Sequence, residues 1–293
     1  MKLGLVGGRR SPDLGCLKRE IEDRGHKATI ISPRRFPRYD LGLIASGGAE
    51  GASTRADHVD LAEFACFYIH EFDLRDRFFR GEFDRATWVS LRERYLEFSH
   101  SEPENLAFQM SLILSLGEAR PAINPPRALL ASRLRPWIFF RLARAGLPVA
   151  PYRLAPAASD GSVSKRLRIG EDYYYDVPCF PMELEGVISL ATGRPAEVWR
   201  ILAVAQSEPA AKMIIENGAV RSASQPRDAG DLALGVLAAL GLEVAEIQLA
   251  PYTGGLKVVD VIPSPRASEF EDVTGERHAG AIAERLLRLG GEA

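Results

Sequence analysis

Arginine-rich stretches are the first feature of the sequence that could do chemistry. They lie at residues 9–10, 34–35 and 133–144. A guanidinium group presents a planar fork of N–H donors that matches the oxygens of carboxylates and phosphates. Solvated helix faces account for most stretches of this kind, and an anion-binding site is the alternative.

The cysteines and histidines show no spacing typical of a disulfide or zinc site. Cys16, Cys66 and Cys179 are far apart and unpaired in spacing, so we expect neither a disulfide framework nor a cysteine-based zinc site. His70 and His100 lie in a region of helical pattern. They could line the active site of an unrelated enzyme, or they could be structural.

Composition limits the classes of partner. The chain has 293 residues, enough for two or three packed subdomains. Hydrophobic residues make up 46%, charged residues 26%, and the formal net charge is −2. This balance predicts no nucleic-acid partner and no membrane partner. The short apolar run at the N-terminus is not typical of a signal peptide, and we expect a cytoplasmic protein.

The N-terminal part of the chain carries the pattern of a parallel α/β unit. Short apolar runs predict strands at 2–6, 28–31 and 41–45, with a helix between the first two. Strand, helix and strand in such short order are typical of a parallel sheet. Two glycines at 7–8 invite a dinucleotide-binding interpretation. The spacing G-x-G-x-x-G is absent, however, so we predict a tight strand-to-helix turn.

No strand pattern is present at residues 57–118, and the pattern there predicts a mostly helical insertion. Amphipathic patterns cover 60–68 and 85–98, and a further helix is predicted from residue 103 onward. Aromatic side chains are frequent in this region. At helical spacing they favour a packed core, and a ligand pocket is the alternative.

The second half of the chain combines helices with a run of strands. A short strand ends at residue 124 before two prolines, and a single helix is predicted at 128–145, closed by Gly146. Further strands are predicted at 163–167, 173–177, 187–190, 199–204 and 211–215. The last predicted elements are a helix at 228–240, a hairpin of 244–249 with 256–261, and a helix at 279–289.

Two blocks of sequence resemble the RimK-like carboxylate–amine ligases of the ATP-grasp superfamily. The first block is Ile-Asn-Pro-Pro at 123–126, an arginine-bearing helix and Ala-Gly-Leu-Pro-Val-Ala at 145–150. The second block is Leu-Gly-Leu-Glu-Val-Ala-Glu-Ile-Gln-Leu at 240–249, followed by Val-Asp-Val-Ile-Pro-Ser-Pro at 259–265. The run at 270–275 is similar to the Thr-Gly segment before the family's last helix.

The resemblance implies a three-subdomain ATP-grasp fold of the α/β and α+β classes. Its N-terminal domain is expected to be Rossmann-like (pre-ATP-grasp) and to carry the helical insertion. The expected boundaries are an N-terminal domain at 1–120 with the insertion at 57–118, a central ATP-grasp lid subdomain at 121–195 and a C-terminal ATP-grasp subdomain at 196–293. The lid is expected to exclude water from the reaction.

The family joins a carboxylate to an amine through an acylphosphate, at the expense of ATP. Cations and Mg²⁺ around the triphosphate are needed for this chemistry. The resemblance implies that Arg135 and Lys165 bind phosphates and that Arg200 is a catalytic contact to phosphate or substrate. It also implies an adenine-contacting hinge, formed by Met182, Glu183, Leu184 and Glu185.

The metal positions depart from the family pattern. The family supplies Asp, and then Glu and Asn two residues apart, where this chain has Gln248, Asp260 and Ile262. Gln248 offers a neutral carbonyl and Asp260 a carboxylate, while isoleucine cannot bind Mg²⁺. Alternation along a strand places residues 260 and 262 on one face. Glu243 and Glu246 are further candidates for holding a single Mg²⁺.

Three functions remain open from the sequence. The first is an ATP-dependent ligase that acts on a small-molecule or peptide carboxylate and an amine. The second is a catalytically degenerate pseudoenzyme that binds a ligand or a protein partner, which the altered metal positions and the glycine-poor lid segment at 165–170 favour. The third is a different enzyme with its site at the insertion. The resemblance also allows a homo-oligomer.

Overall fold

The fold is described from a computed structural model of the 293-residue chain. The described residues are 1–8, 11–31, 55–56, 59–60, 63–70, 113–114, 116–118, 120–132, 135–150, 152–156, 176–178, 186–190, 197–206, 211–216, 219–222 and 227–291. The strands predicted at 41–45 and 163–167 and the amphipathic pattern at 85–98 lie outside these residues.

The N-terminal part of the chain forms a parallel sheet. Its elements are β1 (Lys2–Val6), α1 (Pro12–Asp23), β2 (Lys27–Ile31), the short pair β3 (Arg55–Ala56) and β4 (Val59–Asp60), β5 (Cys66–Ile69) and β6 (Ala122–Ile123). Within the described residues the strand order is β2-β1-β5-β6, and every neighbouring pair is parallel. The first two predicted strands and the helix between them are confirmed.

The prediction of an amphipathic helix at 60–68 is wrong, because β5 is a strand of the parallel sheet. All of its residues, Cys66–Ile69, are buried. A strand buried on both faces carries a continuous apolar run, and periodicity cannot distinguish such a run from a buried helical segment. The insertion predicted at 57–118 is therefore interrupted by a central strand.

Gly4 of β1 lies against the ring of Phe67 on β5. A methyl group built on Gly4 would overlap two ring carbons of Phe67, so we expect Gly4→Ala to lower the free energy of unfolding by about 2 kcal/mol. Gly15→Ala in α1 is the matched control, because a Cβ there meets nothing within 4 Å. Alanine stabilises that helix position by roughly 0.5–1 kcal/mol. Urea unfolding measures both variants, and a Gly4→Ala variant as stable as the wild type would contradict the expectation.

The remaining elements form two antiparallel sheets with flanking helices. They are α2 (Pro126–Ala131), α3 (Arg135–Arg144), β7 (Tyr152–Pro156), β8 (Asp176–Pro178), β9 (Gly186–Leu190), β10 (Glu197–Val204), β11 (Ala211–Glu216), β12 (Ala219–Ser222), α4 (Arg227–Leu240), β13 (Val244–Tyr252), β14 (Gly255–Ile262), α5 (Ala267–Thr274) and α6 (Ala279–Gly291). In the described part of the chain the sheet orders are β7-β9-β8 and β12-β11-β10-β13-β14. The strands predicted at 187–190, 199–204 and 211–215, the hairpin and the helices predicted at 228–240 and 279–289 are confirmed. None of the helices described here is long and apolar enough to cross a membrane.

Helices α2 and α3 replace the single helix predicted at 128–145, which is wrong. Pro136, the second residue of α3, has no N–H to donate to the carbonyl four positions earlier, so a helix restarts there more readily than it continues. Ser132 ends α2 by donating from its hydroxyl to the carbonyl of Leu129 at 2.8 Å. Five further elements, β3, β4, β7, β12 and α5, are not predicted from the sequence.

The two faces of the β12-β11-β10-β13-β14 sheet differ in character. One face packs Ile201, Ala203 and Ile247 into an apolar core with buried side chains of α3 and α4. Successive side chains of a strand point to opposite faces, so Arg200 and Glu246 lie on the other face, where Arg200 donates to Glu246 and to Glu269 of α5. Leu202, Val204 and Val244 share this second face and pack into the core of the N-terminal sheet. The polar residues beside them form the candidate site.

Two elements bear on the predicted subdomain boundaries. Strand β6 extends the N-terminal sheet two residues past the boundary expected at 121. Helix α3 lies in the range predicted for the lid, but its residues Ile138 and Leu142 are buried with the C-terminal sheet. The lid range also contains the β7-β9-β8 strands, which form a sheet of their own.

Asn124 joins the N-terminal sheet to the C-terminal sheet. It follows β6, is 0% exposed and uses both ends of its amide. Nδ2 donates to the carbonyls of Val244 and Pro263, each at 2.7 Å. Oδ1 accepts from the N–H groups of Glu243 and Val244, each at 2.8 Å. Two donors and two lone pairs are all that an asparagine side chain offers, so the residue is matched in full.

Candidate functional site

Three predicted site residues lie in one row across neighbouring strands. Arg200 on β10 is opposite Gln248 on β13, and Gln248 is opposite Asp260 on β14. Directly opposite residues of antiparallel strands share a face, with Cβ atoms about 4.5–5.5 Å apart. The register shifts just after Gln248 at an irregularity of the β-bulge type, which re-aims side chains. The structure thus brings together the predicted catalytic residue and the two predicted metal ligands.

Arg200 is paired with two carboxylates. Its Nε and Nη2 donate to the Oε1 and Oε2 atoms of Glu246 at 2.6 and 2.8 Å. Its Nη1 and Nη2 donate to the Oε1 and Oε2 atoms of Glu269 at 2.7 and 3.1 Å. The guanidinium carbon also lies 5.3 Å from the centre of the Phe270 ring. Carboxylates of the chain itself therefore engage both forks of the guanidinium.

The contacts within this cluster keep Arg200 and Glu269 ionised. Hydrogen bonds from Arg200 hold the pKa of Glu269 below its ordinary value, against the opposite effect of burial. Burial lowers the pKa of Arg200, but the hydrogen bonds to Glu246 and Glu269 outweigh burial and raise it. Arg200 and Glu269 are consequently an ion pair at neutral pH.

Gln248 and Asp260 provide oxygen donors that fit a magnesium ion. The Gln248 Nε2 atom donates to Glu246 at 2.8 Å, so the amide is anchored by its nitrogen rather than by its carbonyl oxygen. Asp260 Oδ1 accepts from the N–H of Val261 at 2.8 Å. Ile262, at the position of the family's asparagine, lies opposite Glu246. The described residues contain no group of three metal-ligating side chains, and Mg²⁺ commonly takes one or two protein carboxylates together with substrate phosphates.

The two further metal candidates have other partners. Glu246 is the buried partner of Arg200. Glu243 accepts a hydrogen bond from Nε of Arg285 at 2.9 Å, and Arg285 also donates to Gln206 at 2.7 Å. Glu243 therefore links α6 to the start of β13. It is not part of the row formed by Arg200, Gln248 and Asp260.

The remaining predicted ligand contacts are not described by the structure. Lys165 and the hinge at 182–185 lie outside the described residues. Arg135 is described as the first backbone position of α3, without its side chain. Their assignment as ATP contacts stays a prediction.

Asp13, Tyr68 and His70 form a buried polar cluster at the carboxyl edge of the N-terminal sheet. His70 Nε2 lies 3.5 Å from Asp13 Oδ2, and His70 Nδ1 lies 3.4 Å from the Tyr68 hydroxyl. Asp13 Oδ1 accepts from the N–H of Ser268 at 2.7 Å, which ties α1 to the first turn of α5. His70 is 5% exposed, with both ring nitrogens engaged. This favours a structural role for His70 over a catalytic role in a different enzyme.

Acid is expected to weaken this cluster. Burial raises the pKa of Asp13, but hydrogen bonds from His70 and Ser268 outweigh burial and hold the pKa below its ordinary value of 3.8. A carboxyl with a lowered pKa stabilises the fold above its unfolded value and loses that contribution as the pH falls through the folded value. We expect Asp13→Asn to lower Tm at neutral pH by about 3 °C, and the difference from the wild type to shrink below pH 3.8. Thermal unfolding followed by circular dichroism measures the difference, and a value independent of pH would contradict the assignment.

Glu269, which contacts Arg200, and Asp13, which contacts His70 and Ser268, are not predicted as functional residues from the sequence. Each is an acidic residue in the first turn of a helix, where such residues ordinarily complement the helix dipole. Because this local role already explains an acidic residue at such a position, the sequence gives no sign of their long-range contacts. Glu269 pairs with an arginine 69 positions away, and Asp13 with a backbone N–H 255 positions away.

Comparison with known proteins places the fold. No protein-family model and no curated protein matches the sequence. The solved ATP-grasp ligase PsnB, complexed with minimal precursor, Mg and ADP, is 16% identical with a TM-score of 0.76, over 98% of this chain and 97% of that one. The macrocyclase MdnC from Microcystis aeruginosa MRC, bound with the precursor peptide MdnA, is 16% identical with a TM-score of 0.66, over 98% and 100%.

A third match has a different name and the same architecture. The RimK-domain ATP-grasp protein from Sphaerobacter thermophilus DSM 20745 is 16% identical with a TM-score of 0.62, over 98% of this chain and 100% of that one. Similarity that extends along the whole of each chain, with this low identity, is a likeness of fold. It shows that the chain has the fold of these ATP-grasp proteins, as the resemblance predicts.

Proposed function

We propose that this chain, which has the ATP-grasp fold, is an ATP-dependent RimK-like ligase that joins a carboxylate to an amine through an acylphosphate. The observation that carries the proposal is the row of Arg200, Gln248 and Asp260, in which a guanidinium and two oxygen donors share one face of the sheet. Phosphoryl transfer needs cations and a metal ion around the phosphate oxygens. The full-length likeness to ATP-grasp ligases supports the same activity.

In this proposal each residue of the row has its own task. Gln248 and Asp260 hold Mg²⁺, which when bound offsets the negative charge of the phosphate oxygens. Glu246 positions both of its neighbours, since its buried carboxylate accepts from Gln248 and from Arg200. Arg200 contacts phosphate or substrate.

The other proposed contacts complete an ATP site. Arg135 and Lys165 bind the phosphates, and the segment 182–185 contacts adenine. The N-terminal parallel sheet is assigned to a Rossmann-like domain at 1–120, followed by the lid at 121–195 and the C-terminal subdomain at 196–293. The observed sheet orders support this division.

We propose a peptide as the carboxylate substrate. MdnC is bound with a precursor peptide and PsnB with a minimal precursor, and each of these chains matches the present one over nearly its whole length. A peptide needs an extended surface beside the phosphate site. A small-molecule carboxylate is the alternative that the RimK-like resemblance allows.

ATP binding should depend both on Mg²⁺ and on Asp260. We expect Asp260→Asn to weaken ATP binding in the presence of Mg²⁺ by about 100-fold, because it removes the carboxylate among the proposed ligands. ATP binding without Mg²⁺ should be unchanged. Isothermal titration calorimetry measures both affinities. Asp272→Asn, which removes the same charge from an exposed position on α5, is the control. No heat with the wild type, or equal affinities in Asp260→Asn and the wild type, rejects the proposal.

A pseudoenzyme is the second candidate, and two observations favour it. Arg200 is already paired with Glu246 and Glu269, and Ile262 stands opposite Glu246 where the family has a metal ligand. A coupled assay for ADP release, with ATP, Mg²⁺ and a candidate peptide, separates the two functions. ATP binding without ADP release identifies a pseudoenzyme, whereas release that is lost in Asp260→Asn excludes it.

A further inference from the structure

The two edges of the Arg200 guanidinium face different environments. The Nε/Nη2 edge meets Glu246, whose side chain is 1% exposed and also accepts from Gln248. The Nη1/Nη2 edge meets Glu269, whose side chain is 39% exposed and comes from α5. The inner edge is therefore part of the sheet, and the outer edge faces a carboxylate that water reaches.

Glu246 alone fixes and neutralises the guanidinium. The bidentate pair at 2.6 and 2.8 Å and the contact with the Phe270 ring set the plane of Arg200 without help from Glu269. One buried carboxylate compensates one guanidinium charge, so Glu269 brings a surplus negative charge to a cation that is already paired. The charge of Asp13 works against ionisation of Glu269, and the charge of Arg266 favours it.

We infer that the Nη1/Nη2 edge of Arg200 is a binding edge for a ligand oxyanion, a phosphate or a carboxylate, and that Glu269 is an internal competitor which occupies this edge when no ligand is bound. Carboxylates and phosphates meet a guanidinium fork in the same bidentate way. The incoming oxyanion takes the donors that Glu269 now uses, and the Glu269 side chain turns to solvent. Glu246 keeps the inner edge paired throughout.

This arrangement makes Glu269 the residue that determines how much oxyanion is needed to fill the site. A partly exposed ion pair is weak enough for a ligand to replace, whereas replacing the buried partner Glu246 costs much more. The inference rests on the proposed function in one respect, namely that the natural oxyanion is a phosphate or carboxylate of the ligase substrates. The site itself can be tested with inorganic phosphate alone.

Inorganic phosphate titrated into the full chain, without nucleotide, is the test. Glu269→Gln removes the competing charge and keeps the length of the side chain. We expect phosphate to bind this variant about fivefold more tightly than the wild type, the effect of losing a partly exposed ion pair. Asp272→Asn removes one negative charge from an exposed position of the same helix, and it should bind phosphate as the wild type does. Adding Arg200→Lys to Glu269→Gln should abolish the gain, because lysine has no fork.

Three results overturn the inference: equal phosphate affinity in Glu269→Gln and the wild type, an equal gain in Asp272→Asn, and no phosphate binding to Glu269→Gln. If Glu269→Gln does not fold, ¹⁵N spectra of the wild type replace it. Phosphate should then shift the Nη resonances of Arg200 and leave Nε in place, and a shift of neither overturns the inference. The ligase proposal can fail independently of this inference. If Glu269→Gln binds phosphate more tightly but the chain never releases ADP, the role of Glu269 stands and the ligase proposal is rejected.

Discussion

Replacing Asn124 by leucine is expected to lower the free energy of unfolding by about 4 kcal/mol. Leucine has a similarly branched side chain, which is larger and carries no polar atoms. The N–H groups of Glu243 and Val244 and the carbonyls of Val244 and Pro263 therefore lose the bonds that the amide makes at 2.7–2.8 Å. The position is 0% exposed, so water does not replace these bonds without a structural change. Urea unfolding measures the loss.

A second buried polar residue provides the control for Asn124→Leu. The Ser132 hydroxyl is also buried and makes one hydrogen bond, to the carbonyl of Leu129 at 2.8 Å. Ser132→Ala should cost about 1 kcal/mol, the value of a single bond within one segment. If Asn124→Leu costs no more than Ser132→Ala, Asn124 does not hold the two sheets together.

Arg200→Met is expected to destabilise the fold by about 3–5 kcal/mol. Methionine keeps an unbranched apolar side chain, but it loses the guanidinium over the Phe270 ring and leaves the carboxylate of Glu246 buried at 1% exposure without its cation. An uncompensated buried charge is among the costliest defects that a single substitution introduces. Urea unfolding at neutral pH gives the size of the loss.

Removing the second partner tests whether the buried charge is the cause. In the double variant Arg200→Met with Glu246→Gln no buried charge remains, so most of the lost stability should return. A double variant whose loss equals the sum of the single losses would show that the two residues act independently. Glu269→Gln provides the matched comparison, because its carboxylate is 39% exposed and its removal should cost less than about 1 kcal/mol.

The hairpin that carries Gln248 and Asp260 could be predicted from the sequence for local reasons. Polar and apolar residues alternate around Gln248 and around Asp260, and glycines lie at the turn, where Gly254 and Gly255 have φ of 93° and 117°. Alternation also places residues 260 and 262 on one face. The irregularity after Gln248 and the pairing of Gln248 with Asp260 depend on the register of two strands, which alternation alone does not determine.

The contacts of Arg200 could not be predicted, because they depend on distant parts of the chain. Glu246 and Glu269 lie 46 and 69 positions from Arg200, and Glu269 sits on a helix that the sequence pattern does not reveal. The burial of β5 has a similar cause. Its residues are predicted as part of an amphipathic helix, because the strands that bury them, β1 and β6, are about 60 residues away in the chain.

The proposed ligand contacts at Arg135, Lys165 and 182–185 rest on the resemblance to the ATP-grasp superfamily and on nothing in the described geometry. The row of Arg200, Gln248 and Asp260 has structural support, because strand pairing places its three residues on one face of the sheet. A structure of a nucleotide complex tests both sets of residues in one experiment.

A crystal structure of the chain with a non-hydrolysable ATP analogue and Mg²⁺ tests the ligase proposal most directly. We expect the metal ion to bind an oxygen of Asp260 at about 2.0–2.1 Å, with the Gln248 carbonyl beside it and the triphosphate reaching Lys165. Adenine should contact the segment 182–185. A nucleotide bound elsewhere, or a metal ion that does not touch Asp260, would contradict the proposal.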